Sequence, residues 1–103
     1  MSAGFAHAMH AAMAEMDRAM VSAPMSGDPD QDFLAMMIPH HEGAVEMARL
    51  VLVHGRDPLV RQLADEIIAG QQAEIGSMTA RLALLRRGGG SEYPTLSGTR
   101  GID

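Results

Sequence analysis

Hydrophobic positions recur with helical spacing along most of the 103-residue chain. The pattern covers three segments, at about residues 3–22, 29–54 and 58–87, and turns rich in proline and glycine separate them. It predicts an all-α fold in which three long helices run up, down and up as an antiparallel bundle. We expect a single domain over residues 1–87, followed by a flexible glycine-rich linker and tail over residues 88–103.

The apolar face of the second helix includes a histidine. With about 100° per residue, seven of its side chains fall within roughly 120° of arc. They are Phe33, Met37, His40, Ala44, Met47, Ala48 and Val51. His41 lies at the edge of this arc, whereas Glu42 and Glu46 point away from it. Because burying a polar group is costly unless it is paired, a metal ion held by imidazole and thioether groups would explain the arrangement.

The turns carry recognisable helix boundaries. Two aspartate–proline pairs begin the second and third helices, with aspartate as the cap and proline at the first helical position: Asp28-Pro29 and Asp57-Pro58. Gly55 fits the left-handed conformation that often follows a helix end. Pro39 lies inside the second helix, where it removes a backbone hydrogen bond and is expected to kink the helix beside the two histidines.

The first helix has a methionine-rich stripe, flanked by His10. Its members are Phe5, Met9, Ala12, Met13, Met16, Ala19 and Met20. Methionine often fills irregular gaps in a core, so the stripe has a purely structural interpretation. Alternatively, part of it, such as Met13, joins His10 in a site for a soft metal.

The third helix carries two polar residues, Gln71 and Glu74, on its apolar face, one turn before Met78. The apolar members of that face are Val60, Leu63, Ala64, Ile67, Ile75, Met78, Leu82 and Leu85. A buried glutamine and glutamate need partners, and the nearest candidates are the two histidines of the adjacent helix. Glu74 is then a metal ligand or holds the second nitrogen of a ligating histidine. A buried hydrogen-bond network without metal is the alternative.

Composition narrows the chemistry. The chain has ten Met and no Trp. It also has no Cys, which excludes disulfides, thiolate zinc sites and a cysteine nucleophile. In an oxidising compartment, methionine and histidine remain as ligands for copper. The net charge of -5 argues against nucleic acid as a partner. No apolar run approaches the about 20 residues of a membrane span, and no signal peptide is visible, so the chain is cytoplasmic or a mature form.

Several motifs together resemble a known family. They are Asp32-Phe33, Met37-Ile38-Pro39-His40-His41-Glu42-Gly43-Ala44-Val45-Glu46-Met47-Ala48, Gly55-Arg56-Asp57-Pro58, Leu63-Ala64-Asp65-Glu66-Ile67-Ile68 and Gln71-Gln72-Ala73-Glu74-Ile75-Gly76-Ser77-Met78. Residues 28–85 are in this respect similar to the bacterial domain of unknown function 305, which includes copper-binding CopM-like proteins. The resemblance implies a ferritin-like helical bundle that binds copper, or silver in some members, in the periplasm or outside the cell.

The favoured hypothesis is therefore a non-enzymatic copper-binding protein for sequestration, transfer or resistance. We expect Cu(I), with Cu(II) or Ag(I) as alternatives, a homodimer that completes the bundle, and a protein that accepts the copper. The candidate ligands are His40, His41, Met36, Met37, Met47, Glu74, Met78, His10 and Met13.

Three other hypotheses remain. A metal-independent interaction module would use the same histidines in a buried network with Glu74 and Gln71. A ferritin-like di-iron enzyme is disfavoured, because the sequence has no Glu-x-x-His motif and only Glu74 is expected to face inward. A zinc site of two histidines and a glutamate would leave the methionines unexplained.

Overall fold

The computed structural model describes residues 2–89, and most of the predicted linker and tail, residues 90–103, lies outside them. The described part contains three helices: α1 (Ser2–Val21), α2 (Pro29–His54) and α3 (Pro58–Arg86). No strand occurs in it. The all-α prediction and the three segments are thus confirmed, with helix ends within one residue of those expected.

Helix α2 is the central element. It packs against both α1 and α3, whereas α1 and α3 do not pack against each other within residues 2–89. Both neighbours run antiparallel to α2, since the ring of Phe5 near the start of α1 meets the ring of His54 at the end of α2, at 5.5 Å between centroids. Likewise, His41 of α2 contacts Glu74 in the second half of α3. The chain runs up, down and up, while closure into a ferritin-like bundle stays a prediction.

The helix starts differ from each other. Asp57 caps α3 as predicted, because the backbone N–H of Val60 donates to its carboxylate at 2.9 Å. Asp28 occupies the cap position of α2, but its side chain makes no capping hydrogen bond, so that part of the prediction is wrong. Pro39 lies within a continuous α2, and the bend expected there stays a prediction.

Asp32, in the first turn of α2, orders the preceding loop. Its carboxylate accepts from the backbone N–H of Ser26 at 2.7 Å, the hydroxyl of Ser26 at 2.9 Å and the backbone N–H of Gly27 at 3.0 Å. These donors, chiefly the Ser26 N–H, lower the pKa of Asp32 against a smaller opposing effect of desolvation.

The turn between α2 and α3 corrects a prediction at Gly55. This glycine is extended, with φ of -80° and ψ of 157°, and not left-handed. It is nonetheless tightly placed, because a Cβ there would lie 2.8 Å from the carbonyl oxygen of Val51. Arg61 supports this turn: its Nη1 donates to the carbonyls of Leu52 at 2.6 Å and Gly55 at 3.1 Å, so these carbonyls at the end of α2 have a partner.

Gly43 sets the distance between α1 and α2. A Cβ at this position would lie 2.5 Å from Sδ and 2.8 Å from Cβ of Met16. The Met16 side chain therefore lies directly on the α2 backbone, and any larger residue at position 43 forces the two helices apart.

The buried core is small. Within the described chain, the buried hydrophobic residues are Ala35, Val45, Ala48, Ala64 and Leu82. The predicted faces of α2 and α3 have the right phase, but much of each is uncovered: Phe33 is 60% exposed and Leu63 47%. Within one chain these faces are only partly covered, because α1 and α3 flank α2 without closing over it, and completion of the bundle by a second copy stays a prediction.

An apolar groove therefore runs along one side of α2, between α1 and α3, with a volume of about 360 Å³. Its lining residues are Met9, Ala44, Met47, Ala48, Val51, Val60, Leu63, Ala64 and Ile67. By helical spacing, Phe33, Met37 and His40 continue the α2 part of this surface towards the start of the helix. We call the groove together with these three residues the open face.

Candidate metal centre

His41 links α2 to α3. Its Nδ1 donates to the carbonyl oxygen of Met37 at 2.9 Å, and its Nε2 lies 2.6 Å from Oε1 of Glu74. The contact between the histidine pair and Glu74 predicted from the sequence is thus confirmed for His41. The prediction that Glu74 faces inward is wrong, since its side chain is 62% exposed while that of His41 is only 13% exposed.

Both ring nitrogens of His41 are engaged with oxygen acceptors. The carbonyl oxygen of Met37 is an acceptor only, so Nδ1 donates in that contact, and Nε2 shares a hydrogen with the carboxyl group of Glu74. No nitrogen lone pair is available to a metal while these contacts hold. His41 is therefore placed as a link that fixes α3 against α2.

His40 has a different environment. Its side chain is exposed, and no hydrogen bond to its ring is found within residues 2–89. The two imidazoles lie side by side, with ring centroids 5.8 Å apart and planes inclined at 60°. Because consecutive helical residues point about 100° apart, one ring faces α3 and the other reaches solvent at the open face.

Three methionines lie within about one turn of His40. Met36 and Met37 precede it by four and three residues, which places them on the same side of α2. Met78 belongs to α3. The contact between His41 and Glu74 fixes the register of these two antiparallel helices. Because Met78 follows Glu74 by one turn and Met37 precedes His41 by one turn, the two methionines lie level with each other. We call Met36, Met37, His40 and Met78 the histidine–methionine cluster. Met36 is exposed, and Met37 and Met78 are half-buried.

Other predicted ligands lie elsewhere. Met47 follows His40 by seven residues, about 10 Å along the helix axis, and lines the groove opposite Met9. His10 and Met13 are exposed on α1. The contacts of Phe5 with His54 and of Met16 with Gly43 fix the register of α1 against α2. In this register His10 and Met13 lie roughly 9–13 Å from His40 along the helix axis. The structure therefore does not bring these three residues to the cluster.

The sequence did not single out Met9 as a partner of Met47. Its place on the apolar stripe of α1 was visible, but the pairing depends on the antiparallel register. The structure also shows an edge-on contact between the rings of His54, at the end of α2, and Phe5 of α1.

The far side of α2 is polar. Glu42 and Glu46 are exposed there, as predicted, beside Arg49 of the same helix and Gln72 of α3. Over residues 2–89, no three His, Asp or Glu side chains converge as a group that could hold a metal ion. Nor does that part of the chain contain a helix of the length and apolarity needed to cross a membrane.

These features define a small all-α protein with a central helix, an open apolar face and an exposed imidazole on a methionine-bearing side of that helix. The family model described as domain of unknown function (DUF305) matches residues 1–82, and the chain belongs to that family. A stretch of 53 residues, 52% of this chain, is 42% identical to an uncharacterized protein of Acanthamoeba polyphaga mimivirus. The matched stretch covers 35% of that viral protein. The family resemblance is thus confirmed, and its CopM-like part stays a prediction.

Proposed function

We propose that the protein binds Cu(I) at the histidine–methionine cluster. The observation that supports this is the exposed imidazole of His40, which helical spacing and the α2–α3 register place within about one turn of Met36, Met37 and Met78, while the imidazole of His41 is already engaged. Thioether sulfur is a soft ligand that selects Cu(I), and imidazole accompanies it well. Ag(I) is expected to use the same donors, whereas Cu(II), which prefers nitrogen and oxygen ligands, is expected to bind more weakly.

The residues around the cluster have separate roles in this proposal. His40 supplies a nitrogen and the methionines supply sulfurs. His41 and Glu74 act as positioning residues, because their hydrogen bond keeps α3 in the register that sets Met78 level with Met37. Either becomes a ligand only if that hydrogen bond opens.

The proposed role is binding without catalysis, for sequestration, transfer or resistance. The protein would act as a homodimer and pass copper to an accepting protein. Absence of Cys suits a periplasmic or extracellular location, where thiol ligands are lost to oxidation, and the cytoplasm is the alternative.

A Cu(I) titration against a competing chromophoric chelator, under anaerobic conditions, tests the proposal. We expect His40→Ala to weaken binding at least about tenfold, because a nitrogen ligand is lost. His7→Ala is the matched control, since His7 is exposed on α1, and it should bind as the native chain does. Native-like affinity in His40→Ala would contradict the assignment.

The open face supports a second candidate, a metal-independent interaction module. In that case the His41–Glu74 hydrogen bond is purely structural, and the protein folds and associates in the same way with or without metal. The same titration separates the two functions: a native chain that cannot compete with the chelator, yet is fully folded, is the result expected for the module.

A further inference from the structure

The two sides of the helix layer differ sharply in chemistry. Glu42, Glu46 and Arg49 lie on one side of α2, and the open face occupies the other. The groove carries no charged side chain along its length, and it is formed by aliphatics and methionines, of which Ala48 and Ala64 are buried and the others are exposed or half-buried. Apolar surface of this extent on one side only is typical of an interaction site.

The buried core holds few large side chains. Three of the five buried hydrophobic residues in the described chain are alanines, and no side chain there is less than 2% exposed. Ordering a residue costs about 1–2 kcal/mol of backbone entropy, which burial of apolar surface must offset. A stable domain normally has two packed layers around its core, and here α1, α2 and α3 supply a single layer.

We propose that the open face is the contact surface of a homodimer, in which the open face of a second copy supplies the missing layer. A standard interface takes about 800 Å² from each partner, and the broad side of a molecule with principal extents of 52 × 29 × 20 Å is large enough to supply it. Two uncharged grooves meet without burying a charge, despite the net charge of -5 on each chain, and the charged side chains of Asp30 and Arg81 border the open face only at its Phe33 end. The remaining segment, residues 90–103, is a poorer occupant, because its large apolar side chains are only Tyr93, Leu96 and Ile102.

Dimerisation in this arrangement shelters the copper ligands. His40 and Met37 lie on the open face, so the second copy covers them and lowers their access to water. This consequence rests on the proposed copper function, whereas the dimer itself does not.

Two measurements on metal-free protein test the dimer. Sedimentation velocity in the presence of a chelator should give twice the chain mass of 11.0 kDa at micromolar concentration. Since the chain has no Cys, single-cysteine variants then locate the interface. Leu63→Cys, on the open face, should react with a maleimide at least about tenfold more slowly than Val53→Cys, which lies on the polar side and is 74% exposed.

A monomeric mass for the folded chain would overturn the proposal, even if the thiol of the Leu63→Cys variant were protected, because a segment of the same chain would then be the occupant. Equal labelling rates in a dimer would also overturn it, because the contact would lie on another surface. Both results are independent of copper binding, so failure of the dimer and failure of the metal assignment are distinguishable.

Discussion

Gly43 is the position at which a single methyl group should have the clearest effect on the fold. Replacing glycine by alanine inside a helix normally stabilises it by about 0.8–1.0 kcal/mol, because alanine has the better helix propensity. At position 43, however, the new Cβ would lie 2.5 Å from Sδ and 2.8 Å from Cβ of Met16. Sδ can rotate away, but Cβ of Met16 moves only if α1 moves.

Overpacking of this kind costs about 1–3 kcal/mol. The propensity gain offsets part of it, so Gly43→Ala should lie between near-neutral and about 2 kcal/mol less stable than the native protein. Gly76→Ala is the matched control, because nothing lies within 4 Å of a Cβ built at Gly76 in α3. It should gain about 0.5–1 kcal/mol, so the two variants should differ by about 1–3 kcal/mol, or at least about 4 °C in Tm.

Urea unfolding followed by circular dichroism, at one fixed protein concentration, measures the difference. The double variant Met16→Ala/Gly43→Ala adds a second check: it removes the contacts to Sδ and Cγ but keeps the one to Cβ, so only part of the clash is relieved. If Gly43→Ala stabilised the protein as much as Gly76→Ala does, the close approach of α1 and α2 would be refuted.

Three further predictions concern Arg61, Asp32 and the copper ligands. Arg61→Ala should destabilise the protein by about 1–2 kcal/mol in urea unfolding, because the carbonyls ending α2 lose a charged donor, whereas the exposed Arg56→Ala should stay within about 0.5 kcal/mol. Equal effects of the two would argue against the role of Arg61. Asp32→Asn should lower Tm at pH 7 by removing the carboxylate that Ser26 and Gly27 contact. Since the folded pKa of Asp32 is lowered from 3.8, this contribution is present above that pH and is lost as pH falls through the folded pKa, so the difference from native should shrink below about pH 4. A Tm difference unchanged down to pH 3 would contradict it. Finally, Cu(I) affinity should fall below about pH 6, because an imidazole ligand competes with protons and a thioether does not. In the chelator competition repeated between pH 5 and pH 8, constant affinity would indicate methionine ligands alone.

Helical phase was predictable from the sequence, because it depends on local spacing. The three segments, the cap at Asp57 and the common side of Phe33, Met37 and His40 all follow from periodicity and turn chemistry. Periodicity shows which side chains share a face, but not whether another element covers that face. The sequence therefore predicts the apolar arcs of α2 and α3 but not the open groove that they border within one chain.

The roles of the two adjacent histidines could not be separated from the sequence. They differ by one residue, and only the register of α3, whose Glu74 lies 33 positions after His41, decides which ring is engaged. The same holds for Met78, which reaches the cluster through that register. The prediction for Gly55 was wrong for a related reason, because local turn chemistry does not show that Arg61, six residues further along the chain, contacts its carbonyl.

The most direct test of the copper site is a titration with Ag(I), a diamagnetic substitute for Cu(I), followed by NMR of protein labelled with ¹³C in the methionine methyl groups. Ten Met give ten methyl signals, which single Met→Leu variants assign. We predict that the methyl signals of Met36, Met37 and Met78 shift first and together, and that His40→Ala abolishes the shift. First shifts at Met9 and Met47, or no shift at any methyl, would contradict a soft-metal site built around His40.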